Sequence, residues 1–405
     1  MKILLAVDKY SPAVNGVITS VVTLKKALEL QGHEVKVLTL SESSSTWEED
    51  NVTYIGSFDV GKIYPDARLR HPTLRRYIQS LANWRPDIIH TNTEFSTFHL
   101  AREIARLAMV PMVHTYHTDY EDYVHYVYLS KRIGKHFVKW YIRYVTSCMV
   151  ALIAPTEKTK KQLISYGIKK LIKVIPTGLD LDKYNQVISE EELDNIRTKY
   201  GIKKDIPSLI FVGRLGKEKN IPQVIDYLAK NKDIPFQFII TGDGPAKDEL
   251  VKIVKDKGLE ERTIFTGMVP QSDIQKYYRL ASLFISASQS ETQGLTYIEA
   301  LCAAVPILCR KDPCLNGVVE EGVNGWCFED EEQFSTHLRS FLASASIRDK
   351  MSKDAKELAF KHFGSATFAS SVLELYDYAI KNYVPRKDGL LKALYLRILS
   401  RMPLI

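Results

Sequence analysis

The sequence predicts an α/β protein built of two Rossmann-like, doubly wound domains facing each other across a cleft. Two observations carry this. Short apolar runs alternate with helical patterns in both halves of the chain, as parallel sheets covered by helices on both faces require. The chain, at 405 residues, is too long for one ordinary core and suits two domains of about 150–200 residues each.

In the first half the strands read as Lys2–Val7, Glu34–Thr39, Asp87–His90, Val110–His114 and Met149–Ile153. A helix from about Gly16 to Gln31 joins the first two, and Gly32 ends it as a helix C-cap would. The second half reads as Ser208–Val212, Phe236–Ile240, Thr263–Phe265, Leu283–Ser286 and Val305–Leu308. The expected domains are 1–181, completed by a C-terminal helix over 365–405, and 182–364. The polar stretch from Asp182 to Asp205 reads as the linker. Ligands are expected at the carboxyl ends of the strands.

Composition narrows the class. Apolar content of 45% with 25% charged residues is that of a soluble globular protein, and no apolar run approaches the roughly 18–20 residues of a membrane span. MKILLAVDKYSPAVNG reads as a first core strand rather than a signal peptide. The five cysteines (Cys148, Cys302, Cys309, Cys314 and Cys327) show no CxxC spacing and read as reduced core thiols of a cytosolic protein. The net charge of +7 is unevenly placed. Val127 to Thr156 contains no acidic residue but holds Lys131, Arg132, Lys135, Lys139 and Arg143. The chain from Lys381 onward is basic too, which points to a polyanionic partner: anionic lipid, nucleic acid or a phosphorylated substrate.

The informative stretch is SETQGLTYIEA, Ser290 to Ala300. A strand runs out at Ser286 and a helix begins near Gly294, so Glu291 falls in the loop and Glu299 inside the helix. Eight helical steps span about 12 Å, too far for a paired acid and base on one helix. The two carboxylates can instead grip opposite ends of one elongated ligand, while amides from Gln293, Gly294, Leu295 and Thr296 face a central diphosphate. A helix with a solvated acidic face is the plainer alternative. A second loop, Gly213 to Asn220, follows a strand and carries Arg214 and Lys219, a fork and a point charge suited to neutralising a diphosphate and a leaving nucleotide. Thr241-Gly242-Asp243-Gly244-Pro245 is a tight turn that lets a base approach backbone. Asn15-Gly16 opens the first helix and can offer its amides to the same phosphates. No GxGxxG is present, which argues against a dinucleotide oxidoreductase.

Together, Asn15-Gly16, the Gly213-to-Asn220 loop, the Gly242 turn and E-x7-E resemble retaining nucleotide-sugar glycosyltransferases of family four, which have the GT-B fold. The match spans nearly the whole chain. The resemblance implies that Arg214 and Lys219 hold the donor diphosphate, Glu299 the ribose, and Glu291 with the amides after it the sugar and phosphates. His117 would lie beside the reacting sugar. It implies front-face attack with the departing phosphate taking the acceptor's proton, and no cofactor or metal. Asp180-Leu181-Asp182 looks like a metal-binding DxD but follows Pro176-Thr177-Gly178 at the expected interdomain crossing, which argues against that role.

His114 to Tyr126, with Asp119, Tyr120, Tyr123 and His125, is crowded with hydrogen-bonding groups; a core loop and a polyol-acceptor site both fit it. It closely resembles the same stretch of bacterial diacylglycerol α-glucosyltransferases. The following KRIGKHFVKWYIRYV sets Ile133, Phe137, Trp140, Tyr141 and Tyr144 at helical spacing beside Lys131, Lys135, Lys139 and Arg143, the makeup of an interfacial helix or of a core helix with a basic edge. Leu390 to Met402 repeats the pattern. The expectation is an enzyme at the inner face of the cell membrane moving glucose from UDP-glucose to the 3-hydroxyl of diacylglycerol. Galactose, a glucosylated diacylglycerol, and a soluble or polyprenyl-linked sugar acceptor are the alternatives. A nucleic-acid-binding protein would explain the charge blocks but neither the carboxylates nor the glycine turns, so no nucleic acid partner is expected.

Overall fold

The structure is a computed structural model describing residues 1–10, 15–60, 68–70, 75–118 and 131–385, the side chains of 131–133 excepted. Two compact units emerge. The first takes Met1–Gly178 and the helix Ser365–Lys381; the second is Leu179–Gly364.

In the first unit the strands are β1 (Lys2–Ala6), β2 (Glu34–Leu40), β3 (Trp47–Glu49), β4 (Val52–Ile55), β5 (Ser57–Asp59), β6 (Arg68–Arg70), β7 (Ile88–Thr91), β8 (Met112–Thr115), β9 (Ala151–Ala154) and β10 (Leu171–Val174). Among the described residues eight of them form one sheet in the order β10-β9-β8-β7-β1-β2-β4-β3, while β5 and β6 pair as a separate antiparallel hairpin. Only β3 on β4 is antiparallel in the large sheet. Both faces are covered, so β1 is apolar after Lys2: Leu4 and Ala6 enter one core and Ile3 and Leu5 the other. The helices are α1 (Gly16–Leu30), α2 (Arg75–Asn83), α3 (Ser96–Ala108), α4 (Lys131–Thr146) and α5 (Glu157–Ser165). Helix Ser365–Lys381 buries Phe368, Val372, Leu375 and Tyr376 in the same core as Val21 and Leu24 of α1.

The second unit has β11 (Ser208–Val212), β12 (Gln237–Thr241), β13 (Thr263–Gly267), β14 (Leu283–Ser286), β15 (Ile307–Arg310) and β16 (Gly325–Phe328), all parallel, in the order β13-β12-β11-β14-β15-β16. Helices α8 (Ile221–Ala229), α9 (Lys247–Asp256) and α12 (Glu331–Ala343) cover one face, and α11 (Leu295–Cys302) and α13 (Ala345–His362) the other. A short α10 (Ile274–Arg279) precedes β14. The unit's two ends are tied, since Leu179 N donates to Phe363 O at 2.8 Å.

One expectation needs correcting. Asp182 to Asp205 is not a linker: it folds as α6 (Asp182–Asn185) and α7 (Glu190–Tyr200) on the second unit. Ser189 and Glu192 form a capping box at the start of α7, and Gly201 ends it at φ 69°. Tyr184, Leu193 and Ile202 are buried in the core, too few to mark a helical stripe in so charged a run.

Candidate active site

Two loops of the second unit are laid against each other by glycines. Gly242 leaves β12 at φ +134°, and a Cβ there would stand 1.9 Å from Gly213 O. Gly213 N in turn donates to Thr241 O at 3.0 Å, and Leu215 N to Asp243 O at 2.9 Å. Only glycine permits that approach. The Gly213 loop then makes a turn of 3-10 helix over Lys217–Lys219 before α8. Arg214 is exposed, and its side chain has no hydrogen bond or ion pair among the described residues. The Glu218 carboxylate is folded over Gly216, its oxygens buried without a hydrogen-bond partner.

Lys219 points to the other loop. Its Nζ lies 2.5 Å from Glu291 Oε1, with both side chains less than a fifth exposed (18% and 17%). Ser288 Oγ donates to the same carboxylate oxygen at 2.8 Å. Gly294 begins α11 at φ +75°, where a Cβ would strike the Tyr297 ring at 2.3 Å. Gln293 is buried, Leu295 and Thr296 are half-buried, and the first amides of α11 have no partner within the helix.

Glu299 lies deeper, 5% exposed. Gln271 Nε2 donates to its Oε1 at 3.1 Å and Tyr278 Oη to its Oε2 at 3.0 Å. Burial pushes its carboxyl above the usual range, while the Tyr278 and Gln271 hydrogen bonds and the Lys183 charge pull the other way. Lys183 is held by Gln271 O, and burial lowers its ammonium's pKa.

In the first unit, polar groups gather at the carboxyl ends of β1, β7 and β8. His117 Nε2 donates to Asn92 Oδ1 at 3.1 Å, and burial with the nearby His114 pushes the ring down to about 3, leaving it neutral. His114 Nε2 lies 3.2 Å from Glu94 Oε1, both buried. Asp8 Oδ1 accepts from Thr97 N and Thr97 Oγ1, each at 2.7 Å, and so caps α3, which has no side-chain cap of its own. Burial raises the Asp8 carboxyl to about 6 against these bonds, with Glu94's charge adding to the rise. Gly16 is exposed at the start of α1, where the Asn15 side chain takes the amide of Ile18 at 2.9 Å.

The family model described as Glycosyltransferase Family 4 matches residues 14–183, and that described as Glycosyl transferases group 1 matches residues 193–358. The chain belongs to the family-four glycosyltransferases. As a member of that family it is a retaining, nucleotide-sugar-dependent hexosyltransferase. The glycosyltransferase is 34% identical to the α-monoglucosyldiacylglycerol synthase of Acholeplasma laidlawii, over 93% of this chain and 96% of that protein. It is 34% identical to the synthase of that name from Streptococcus pneumoniae, over 90% of this chain and 84% of that one. Among solved structures, sucrose-phosphate synthase from Thermosynechococcus elongatus superposes with a TM-score of 0.75 at 18% identity, covering 93% of this chain and 98% of that one. Anabaena HepE in complex with UDP-glucose does so with 0.73 at 19% identity, covering 93% and 100%. These likenesses carry the GT-B fold.

Within the glycosyltransferase's second unit, the structure brings Lys219 and Glu291 into contact and holds Glu299 separately, through Gln271 and Tyr278. Asp119, Tyr120, Tyr123 and His125 lie outside the described residues, as do the side chains of Lys131 and Arg132 and the tail from Leu390. The aromatic stripe of α4 is split. Phe137 and Trp140 face outward, 55% and 61% exposed, while Tyr141 and Tyr144 turn toward the core. Phe137 stacks on Tyr141 and Trp140 on Tyr144, each pair 6.2 Å between centroids. Lys135 and Lys139 are half-buried, and Lys139 lies over the Tyr166 ring. Arg143 Nε donates to Tyr166 O, closing the end of α5. Among the described residues no group of three or more His, Cys, Asp or Glu is arranged to hold a metal, and no helix is long and apolar enough to cross a membrane. Asp8, Glu94, Gln271, Tyr278 and Lys183 were not singled out from sequence. Their partners sit on other strands and helices, so no local motif marks them.

Proposed function

We propose that this enzyme transfers glucose from UDP-glucose to the 3-hydroxyl of diacylglycerol with retention, working at the cytoplasmic face of the cell membrane. The contact of Lys219, on the loop that also carries the exposed Arg214, with Glu291 carries the reading. Two cations and a row of helix amides suit a sugar diphosphate, and a carboxylate at their edge suits sugar hydroxyls. Two relatives at 34% identity bear the name α-monoglucosyldiacylglycerol synthase, which supports the choice of sugar and acceptor.

Arg214, Lys219 and the first amides of α11 would neutralise the diphosphate as the bond to the sugar lengthens. Glu299 binds the ribose, and Glu291 with Gln293 to Thr296 orients the sugar. The acceptor hydroxyl attacks from the face the phosphate leaves, and its proton passes to the departing phosphate oxygen. Such a step needs positioning and charge stabilisation rather than a strong base. Neutral His117 fits this as a hydrogen-bonding group beside the sugar, and Asp119, Tyr120, Tyr123 and His125 are assigned to the acceptor. No metal is given a role.

The outward Phe137 and Trp140, with Lys131, Arg132, Lys135, Lys139 and Arg143 on the same helix, support reversible attachment to an anionic bilayer. The deciding experiment supplies radiolabelled UDP-glucose, UDP-galactose and other nucleotide sugars with vesicles containing diacylglycerol, glucosyl-diacylglycerol or no lipid acceptor. An α-glucosyl-diacylglycerol formed from UDP-glucose alone is expected. A product found only with soluble sugar acceptors sinks the lipid reading.

A further inference from the structure

Cys309 and Cys327 occupy partner positions on neighbouring parallel strands, β15 and β16. Register partners project from the same face of a sheet, and adjacent strands run about 4.7–4.9 Å apart. That separation lies within the roughly 4.4–6.8 Å between Cα atoms that a disulfide spans. Both thiols are free, and both side chains belong to the core face that also holds Cys314 and Tyr297. Their access differs. Cys309 is fully buried, whereas Cys327 is partly exposed on β16, the edge strand of the sheet. Glu321 stands over Cys327, its Oε1 accepting from the Cys327 amide at 3.0 Å.

We propose that Cys327 and Cys309 form a dithiol that small disulfides convert to a cross-strand disulfide. The partly exposed Cys327, as its thiolate, attacks one sulfur of the small disulfide, forming a mixed disulfide and releasing one small thiolate. The Cys309 thiolate then attacks Cys327 Sγ and expels the second small thiolate. The two protein thiols lose two protons and two electrons, and the small disulfide becomes two small thiols. Burial and Glu321 push the Cys327 thiol up to about 12, so the first attack is slow at neutral pH and quickens as pH rises. The bridge would form behind the donor loop. Cys309 pairs in register with Ser286, which accepts a hydrogen bond from Tyr297 Oη at 3.0 Å, and Tyr297 packs beneath Gly294.

The test incubates the native full chain with oxidised glutathione at neutral and mildly alkaline pH, then alkylates it in denaturant for intact-mass and peptide analysis. The expected product has lost two hydrogens, takes up two fewer alkyl groups and yields a linked Cys309–Cys327 peptide, faster at the higher pH. Cys309→Ser should stop at one glutathione on Cys327, and Cys327→Ser should form neither product at that pair. Phenylarsine oxide, which bridges closely spaced thiols, supplies a readout on the unmutated protein and should block the cross-link. A glutathione adduct that persists on unmutated Cys327 overturns the proposal, as does a link through Cys314 or Cys302, or thiols all left unchanged.

Discussion

Lys219 Nζ and Glu291 Oε1 stand 2.5 Å apart, joining the loop after β11 to the loop before α11. Each partner holds the other's loop in place. Lys219→Ala and Glu291→Gln are each expected to lower kcat/KM for glucosyl transfer on the order of 100-fold or more. Removing the lysine should also cost about 1–3 kcal/mol in urea unfolding, because its partner stays poorly solvated. Near-normal transfer by either variant removes these residues from the site.

Glu299 holds Gln271 and Tyr278 and is proposed to bind the ribose of the nucleotide sugar. Glu299→Gln should raise KM for the nucleotide sugar about tenfold, with a smaller change in kcat, as expected of ground-state binding. A fall in kcat at constant KM would place Glu299 at the reacting centre instead.

Gly242→Ala puts a methyl group into the carbonyl of Gly213. The predicted outcome is a loss of about 2 kcal/mol or more in unfolding free energy, with nucleotide binding by calorimetry weakened in step. Unaltered stability and binding would mean that the two turns can part freely.

The Asp8 carboxyl sits at about 6, above its ordinary value of 3.8. The folded protein therefore keeps a proton that the unfolded chain has lost, so the stability tied to this group is fully present below pH 3.8 and falls as pH rises through 6. Asp8→Asn does not titrate. From pH 4 to 7 the native protein should lose on the order of 2 kcal/mol relative to the variant, read by denaturant titration. Parallel pH curves for the two proteins would refute this.

Phe137 and Trp140 are the outward pair of α4. Replacing both with alanine should lower partitioning onto anionic vesicles about a hundredfold or more, since each aromatic side chain contributes roughly 1.5–3 kcal/mol when buried. Transfer to a short-chain diacylglycerol in solution should be preserved. Equal flotation of the two proteins would assign membrane contact to other residues.

Much of the loop geometry of the second unit was legible in the chain because its parts are local. Arg214, Lys219, Gly242, Glu291 and Gly294 follow the ends of apolar strands, Glu299 lies within the next helix, and glycines mark where backbone must turn sharply or come close. The alternation of strands and helices was legible for the same reason. The α6–α7 segment was not, because its three buried side chains are scattered through charge. The strands β3, β4, β5, β6, β10 and β16 were missed because runs of three or four residues carry too little pattern where they are not continuously apolar. Period gave the aromatic stripe of α4 but could not say that Tyr141, whose Oη donates to Glu94 O at 2.5 Å, faces inward while Phe137 faces out. Contacts such as His114 with Glu94 depend on strand register, which sequence spacing does not encode.

The helix Ser365–Lys381 sets the order in which this protein can be completed. Tyr376 Oη reaches His90 Nδ1 at 2.7 Å, 286 positions earlier in the chain. During synthesis, the core shared by the first sheet and α1 stays incomplete until Ser365–Lys381 has been made. The second unit, whose strands and helices all lie between Leu179 and Gly364, has by then emerged whole. A stop codon shortly before Ser365 would therefore spare the half that carries Lys219 and Glu291 and strand the other half with open hydrocarbon.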